Sequence, residues 1–113
     1  MSSKNIIELQ QIFRDLINYE SKDPLEPIDP ISYRTPEGDS CLHYAAMRGD
    51  LHAAVLLLDA GLSINEAGDM GNTPLHYASE WNHEALVKLL LDRGADREIS
   101  NEFGHKPLSK SKI

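Results

Sequence analysis

Apolar residues near the start of the chain recur at helical spacing: Ile6, Leu9, Phe13, Leu16 and Ile17, with Ile12 beside them. Lys4, Glu8, Gln10, Gln11, Arg14, Asp15 and Asn18 fill the other positions, so this stretch predicts an amphipathic helix with Ser2 or Ser3 able to cap its start. A connector, Pro24-Leu25-Glu26-Pro27-Ile28-Asp29-Pro30, then places proline at every third position, which predicts an extended, stiff segment. Beyond it the helical pattern comes in pairs. Thr73-Pro74 reads as a helix start, because the threonine oxygen can accept an orphan amide and proline at the first helical position loses no hydrogen bond. Leu75, Ala78 and Ser79 follow on one face. A second run from Glu84 to Arg93 sets Leu86, Leu89 and Leu90 on another face and meets a stop signal at Gly94.

That paired pattern occurs more than once. Sliding residues 34–66 onto 67–99 superposes Gly38 on Gly71, Leu42-His43-Tyr44-Ala45 on Leu75-His76-Tyr77-Ala78, Leu56-Leu57-Leu58-Asp59 on Leu89-Leu90-Leu91-Asp92, and Gly61 on Gly94, a period of 33 residues. Gly104, Pro107 and Leu108 begin a third copy one period after Gly71, Pro74 and Leu75. Small residues at Ala45, Ala46, Ala78 and Ser79 allow the backbones of successive units to approach closely. Each unit is therefore a helix, a tight turn, a helix and a glycine-bearing loop, built to stack on the next.

The run Thr73-Pro74-Leu75-His76-Tyr77-Ala78, the segment Leu89-Leu90-Leu91-Asp92-Arg93-Gly94-Ala95-Asp96 and the 33-residue period together resemble the ankyrin repeat over residues 32–113. The resemblance implies an all-α fold: a short ankyrin-repeat solenoid with repeats at about 32–64 and 65–97, a partial one at 98–113, and an N-terminal amphipathic capping helix. Residues 1–28 form the capping helix and proline-rich connector, and 29–113 the repeat region. Ser40-Cys41 replaces Thr-Pro in the first unit, keeping the hydroxyl cap, and the third unit has Lys106 in place of the threonine and lacks its second helix. The N-terminal helix reads as a cap on the first repeat, with a partner-binding or dimerising role as the alternative. In the third unit Leu108 and Ile113 can cover only part of the apolar face left by Leu86, Leu89 and Leu90; a partner or a second copy could complete it.

Charge narrows the class of partner. The 113 residues carry 18 acidic and 11 basic side chains, a formal net charge of −7. Such a surface repels phosphate backbones, so a basic protein is a better partner than nucleic acid. Only residues 98–113 are positive, by one, through Lys106, Lys110 and Lys112, and these read as a solvated tail. One cysteine excludes an internal disulfide, and no run of about 20 apolar residues predicts a membrane span, so a reducing, cytoplasmic setting is expected.

Catalytic motifs are missing: there is no glycine-rich phosphate loop, no Gly-x-Ser-x-Gly, no His-Glu-x-x-His and no Cys-x-x-Cys. Cys41, His43 and His76 do not supply the four ligands of a structural zinc site. The expectation is a protein that is not an enzyme and takes no cofactor or metal. Cys41 reads as a small residue filling a turn, with thiol reactivity at a helix start as the alternative. The ankyrin resemblance implies that His43 and His76 bond the turns, and that loop tips and first helices line a partner-binding face. The matching positions are Arg34, Pro36, Glu37 and Asp39, then Met47 and Arg48; Ala67, Asp69, Met70 and Asn72, then Glu80 and Trp81; and Glu102, Phe103 and His105. Trp81, the only tryptophan, stands where the pattern expects a polar residue, and a large aromatic ringed by polar groups is the make-up of a binding anchor. The alternatives are that Trp81 folds onto its own helix pair and that Phe103 packs in the end cap. Acidity, size and the resemblance together lead to the expectation of a stoichiometric inhibitor, similar to the ankyrin-type immunity proteins that accompany toxins, or otherwise an adaptor or assembly factor of a larger complex.

Overall fold

Hydroxyl and carboxylate caps start four of the five α-helices found among the described residues, which in the computed structural model are 2–108. Ser2 Oγ accepts from Asn5 N–H and opens α1 (Ser3–Ile12). Ser40 opens α2 (Cys41–Arg48), accepting from the amides of Leu42 at 3.2 Å and His43 at 3.3 Å. Asp50 opens α3 (Leu51–Asp59), and Thr73, followed by Pro74, opens α4 (Pro74–Glu80). The last helix, α5 (Glu84–Asp92), has no such cap at His83, whose ring instead donates from Nε2 to the Met47 carbonyl at 2.9 Å. Each cap satisfies an amide that has no partner within its helix.

The helices form two layers. α2 pairs with α3 and α4 with α5, while α2 stacks on α4 and α3 on α5. α1 joins the second layer, against α3. Ala45 and Ala46 of α2 and Ala78 of α4 are fully buried, and side chains of one carbon let packed helices approach closely. Leu42, Leu57, Leu75, Leu86 and Leu90 fill the space between the layers and are at most 1% exposed. Each contributes about 1.5–3 kcal/mol by leaving water. The apolar stripes seen in the sequence are thus the inner faces of the stack.

Three loops repeat the same closure one period apart. The amides of Thr35, Gly68 and Asn101 donate to the carbonyls of Asp39, Asn72 and His105, and the amides of Gly38, Gly71 and Gly104 donate back to Thr35, Gly68 and Asn101. The returning glycines sit at φ of 102°, 76° and 80°, a left-handed region that a side chain disfavours. The third loop is complete up to Leu108. The remainder of that unit, including Lys110, Lys112 and Ile113, lies outside the described residues.

The N-terminal segment departs from expectation in two ways. The helix stops at Ile12, although the apolar period runs on to Ile17. Phe13 is fully buried, with the Arg48 guanidinium carbon 5.5 Å from its ring centroid, so its place is fixed by α2 and not by continuation of α1. The connector is a folded loop where an extended segment was expected. Asn18 holds it closed: its amide donates to Pro24, and its side chain to the carbonyls of Glu26 and Pro27. The buried Ile28 and Tyr33 then anchor its far end, the Tyr33 hydroxyl donating to the Ile17 carbonyl at 3.1 Å.

Candidate protein-binding face

The expected partner-facing residues divide into those bound inside the chain and those left open. Arg34 forms a two-pronged ion pair with Glu66 in the next loop and donates to the Tyr33 carbonyl at 2.6 Å, so it ties the first loop to the second. Arg48 pairs with Asp15 at 2.7 Å and lies between the rings of Phe13 and Tyr44. Asp39 is 7% exposed; its Oδ1 accepts from the Asp69 amide and from the Tyr77 hydroxyl, each at 3.0 Å. The expectation that Asp39 faces a partner therefore meets a buried carboxylate that clasps two units together. Asn72 is likewise engaged, its Oδ1 accepting from Asn101. Met47 is half-buried and gives its carbonyl to His83.

Both motif histidines hold the turns. The Ser40 amide donates to His43 Nδ1 at 3.0 Å, and Nε2 lies 2.9 and 3.0 Å from the carbonyls of Glu66 and Asn72. Carbonyls only accept, so the proton is on Nε2 and Nδ1 is the acceptor. His76 repeats this with Thr73 on one side and the His105 carbonyl, at 2.8 Å, on the other. Burial holds both imidazoles below the ordinary histidine value, which favours this neutral form. The Cys41 thiol, fully buried at the start of α2, is pushed up to about 12 by burial, so it stays protonated and the reactive-thiol alternative falls away.

The open residues gather at the loop tips and the end of α4. Met70, Trp81 and Phe103 are 49%, 56% and 64% exposed. Trp81 caps α4 with its backbone, and more than half of the residue stays exposed. Met70 and Phe103 occupy the same register in adjacent tips, bridged by a 2.9 Å bond from the Glu102 amide to the Met70 carbonyl. Met70 holds φ at 58°, uncommon for a residue with a side chain, which sets the tip's direction. An open cleft of about 660 Å³ brings together Asn72, Glu80, Trp81, Phe103 and His105. Glu37 and Met70 lie outside it, at neighbouring tips.

Among the described residues Glu8, Asp15, Asp59, Glu66, Asp92 and Glu98 contact His52, Arg48, Arg93, Arg34, Lys88 and Lys106 respectively. Glu37, Asp69, Glu80 and Glu102 on the loop and α4 side make no ion pair there, and neither do Glu20, Asp23, Glu26, Asp29, Asp50, Glu84 and Asp96 elsewhere. Two contributors were not singled out in the sequence. Tyr77 was legible only as a repeated core position, and its hydroxyl bond crosses to another unit. Asn101 orders the third tip, its Oδ1 accepting from the amides of Phe103 and His105; an asparagine three residues before a glycine was a usable turn signal.

Among the described residues no three histidine, cysteine or acidic side chains converge as a metal site, and no helix is long and apolar enough to cross a membrane. Comparison with curated proteins yields no match. The family model for ankyrin repeats matches in three copies over residues 6–101, a span that takes in most of α1 and the connector as well as both full repeats. With the stacked helix pairs, the thrice-repeated loop closure and the histidine-held turns, this match shows that the chain belongs to the ankyrin-repeat family, whose modules bind other proteins and are in general not catalytic.

Proposed function

We propose that the chain acts by stoichiometric binding to a basic protein, as an inhibitor of the kind that immunity proteins are, through the face formed by the loop tips and the end of α4. The observation that carries this reading is the coincidence of exposed anchors with unpaired acids: Met70, Trp81 and Phe103 stand among Glu37, Asp69, Glu80 and Glu102, and these carboxylates lack cations among the described residues. An apolar anchor desolvated by a partner supplies affinity, while uncompensated charge around it speeds encounter with a surface of opposite sign. Arg34, Asp39, Met47 and Arg48 are engaged within the chain, and Asn72 lines the cleft.

The test is affinity capture from the native source, followed by kinetics of the purified pair. A basic partner bound one to one is expected, with an association rate that falls steeply with salt. Glu37→Lys, Asp69→Lys and Glu80→Lys together should slow association, and Trp81→Ala should cost more than about 2 kcal/mol of binding while the helical content is kept. Recovery of only a large assembly, indifferent to these charge reversals, would reject the inhibitor.

An adaptor remains the second reading because a further exposed apolar group lies at the other end. Ile17, Tyr19 and Leu25 of the connector are 49%, 52% and 86% exposed. A second contact there would join two proteins.

A further inference from the structure

The chain already contains one cage for a planar cation, filled from within. The Arg48 guanidinium carbon lies 5.5 Å from the ring centroids of both Phe13 and Tyr44, and a nitrogen of the same group donates to Asp15 at 2.7 Å. One repeat later, Tyr44 is matched by Tyr77 and Arg48 by Trp81. The cation has been replaced by a third kind of wall. Tyr77 and Trp81 line the 660 Å³ cleft with Phe103 from the third loop and Glu80 from α4. Aromatic rings and a carboxylate are thus assembled again, and no arginine lines the cleft. Lys106 also lines the cleft, and its ammonium donates to Glu98 at 2.8 Å.

We propose that this cleft receives one arginine side chain of the partner, its guanidinium stacked against Trp81 and Phe103 and donating to the Glu80 carboxylate. This occupant follows only if the partner is basic, as proposed above, and it narrows the contact to one residue type. Guanidinium is favoured over ammonium because it is planar, weakly hydrated and able to stack and donate two parallel bonds at once. Both rings are more than half exposed, so they lose water when covered by the stacked group. The backbone amide of Trp81 bonds the Tyr77 carbonyl at 3.0 Å, so the wall is held while its ring stays accessible.

Trp81 is the only tryptophan, so its fluorescence reads the cleft without a label. The full chain would be titrated with a short acetylated, amidated peptide holding a single arginine, and with the same peptide holding lysine or the neutral isostere citrulline. Saturable change with the arginine peptide is expected in the millimolar range. The lysine peptide should bind about fivefold more weakly, and the citrulline peptide not at all. Glu80→Gln and Phe103→Ala should each weaken arginine binding by about fivefold with the circular dichroism unchanged. No saturable response to arginine, an equal response to citrulline, or indifference to both substitutions would overturn the proposal. If the two variants still bind a basic protein with salt-sensitive kinetics and full affinity, the arginine cleft fails and the wider reading stands; absence of any basic partner removes both.

Discussion

Asp39 and Tyr77, 38 residues apart, are joined by a 3.0 Å hydrogen bond from the tyrosine hydroxyl to a carboxylate that is almost wholly buried. The same oxygen accepts from the Asp69 amide, so one atom ties the first loop to the second loop and to α4. Burial first, and the nearby carboxylate second, raise the tyrosine above its ordinary value, which keeps it a donor. Asp39→Ala leaves a part-buried hydroxyl and a part-buried amide without their acceptor and should cost about 1–3 kcal/mol, whereas Tyr77→Phe should cost about 1 kcal/mol. Urea unfolding of the two variants and their double mutant measures this. Strictly additive losses would mean that the bond couples nothing.

Gly68 is required by contact and not by backbone angle. A Cβ there would stand 2.2 Å from Asp39 Oδ1 and 2.8 Å from His43 Nε2, inside the clasp. At Gly61 and Gly94 nothing lies within 4 Å, and φ of 99° and 93° supplies the only penalty. Gly68→Ala should therefore destabilise by about 1–3 kcal/mol through overpacking. Its amide exchange should quicken at Asp69 and Asn72 together, while Gly61→Ala leaves those two amides unchanged. Native exchange rates of the three proteins decide the matter.

Acid should loosen the turns before it unfolds the helices. His43 and His76 titrate below the ordinary histidine value in the folded chain because burial disfavours the charged ring. The unfolded chain then binds more protons at mildly acidic pH. The contribution to stability is full above about pH 6.5 and is lost as pH falls towards the depressed folded values, by about 1.4 kcal/mol per pH unit for each proton of difference. Urea midpoints measured from pH 7.5 downwards should fall, and His76→Gln should make the fall shallower. A midpoint flat down to about pH 5 would contradict the buried neutral form.

Cys41 should be inert to thiol reagents in the native state. It is fully buried and held protonated, so labelling must await opening of α2. Labelling rates should track urea concentration along the global unfolding curve. Rapid modification without denaturant would instead mark local opening at the Ser40 cap.

What the linear pattern revealed is whatever repeats. The helix pairs, the caps at Ser40 and Thr73 and the small residues of α2 and α4 all recur at a fixed spacing, and each cap depends on residues a few positions apart. The end of α1 was illegible because Phe13 continues the apolar period while its side chain is held by Arg48, far away in sequence. The folded connector is closed by Asn18 and anchored by Ile28 and Tyr33, contacts between residues that show no repeat, while its three prolines suggested the opposite. Within the candidate face the exposure of Trp81 could be read from a break in the pattern. The burial of Asp39 could not, because its partner Tyr77 lies in another unit and the match at that position, Asn72, has different chemistry.

The two motif histidines also give the turns a direction, opposite to that of His83, which donates back to Met47. His43 donates forward to the loop that follows it, and His76 forward to the third loop; neither reaches back. Damage to the third loop would strand the imidazole of the second unit, which in turn supports the carbonyls that the first unit needs. A protein gripping Phe103 clamps the far end of that chain of donors, so occupancy at the tip would slow amide exchange as far back as Ser40, acting as a lock on turns it never touches.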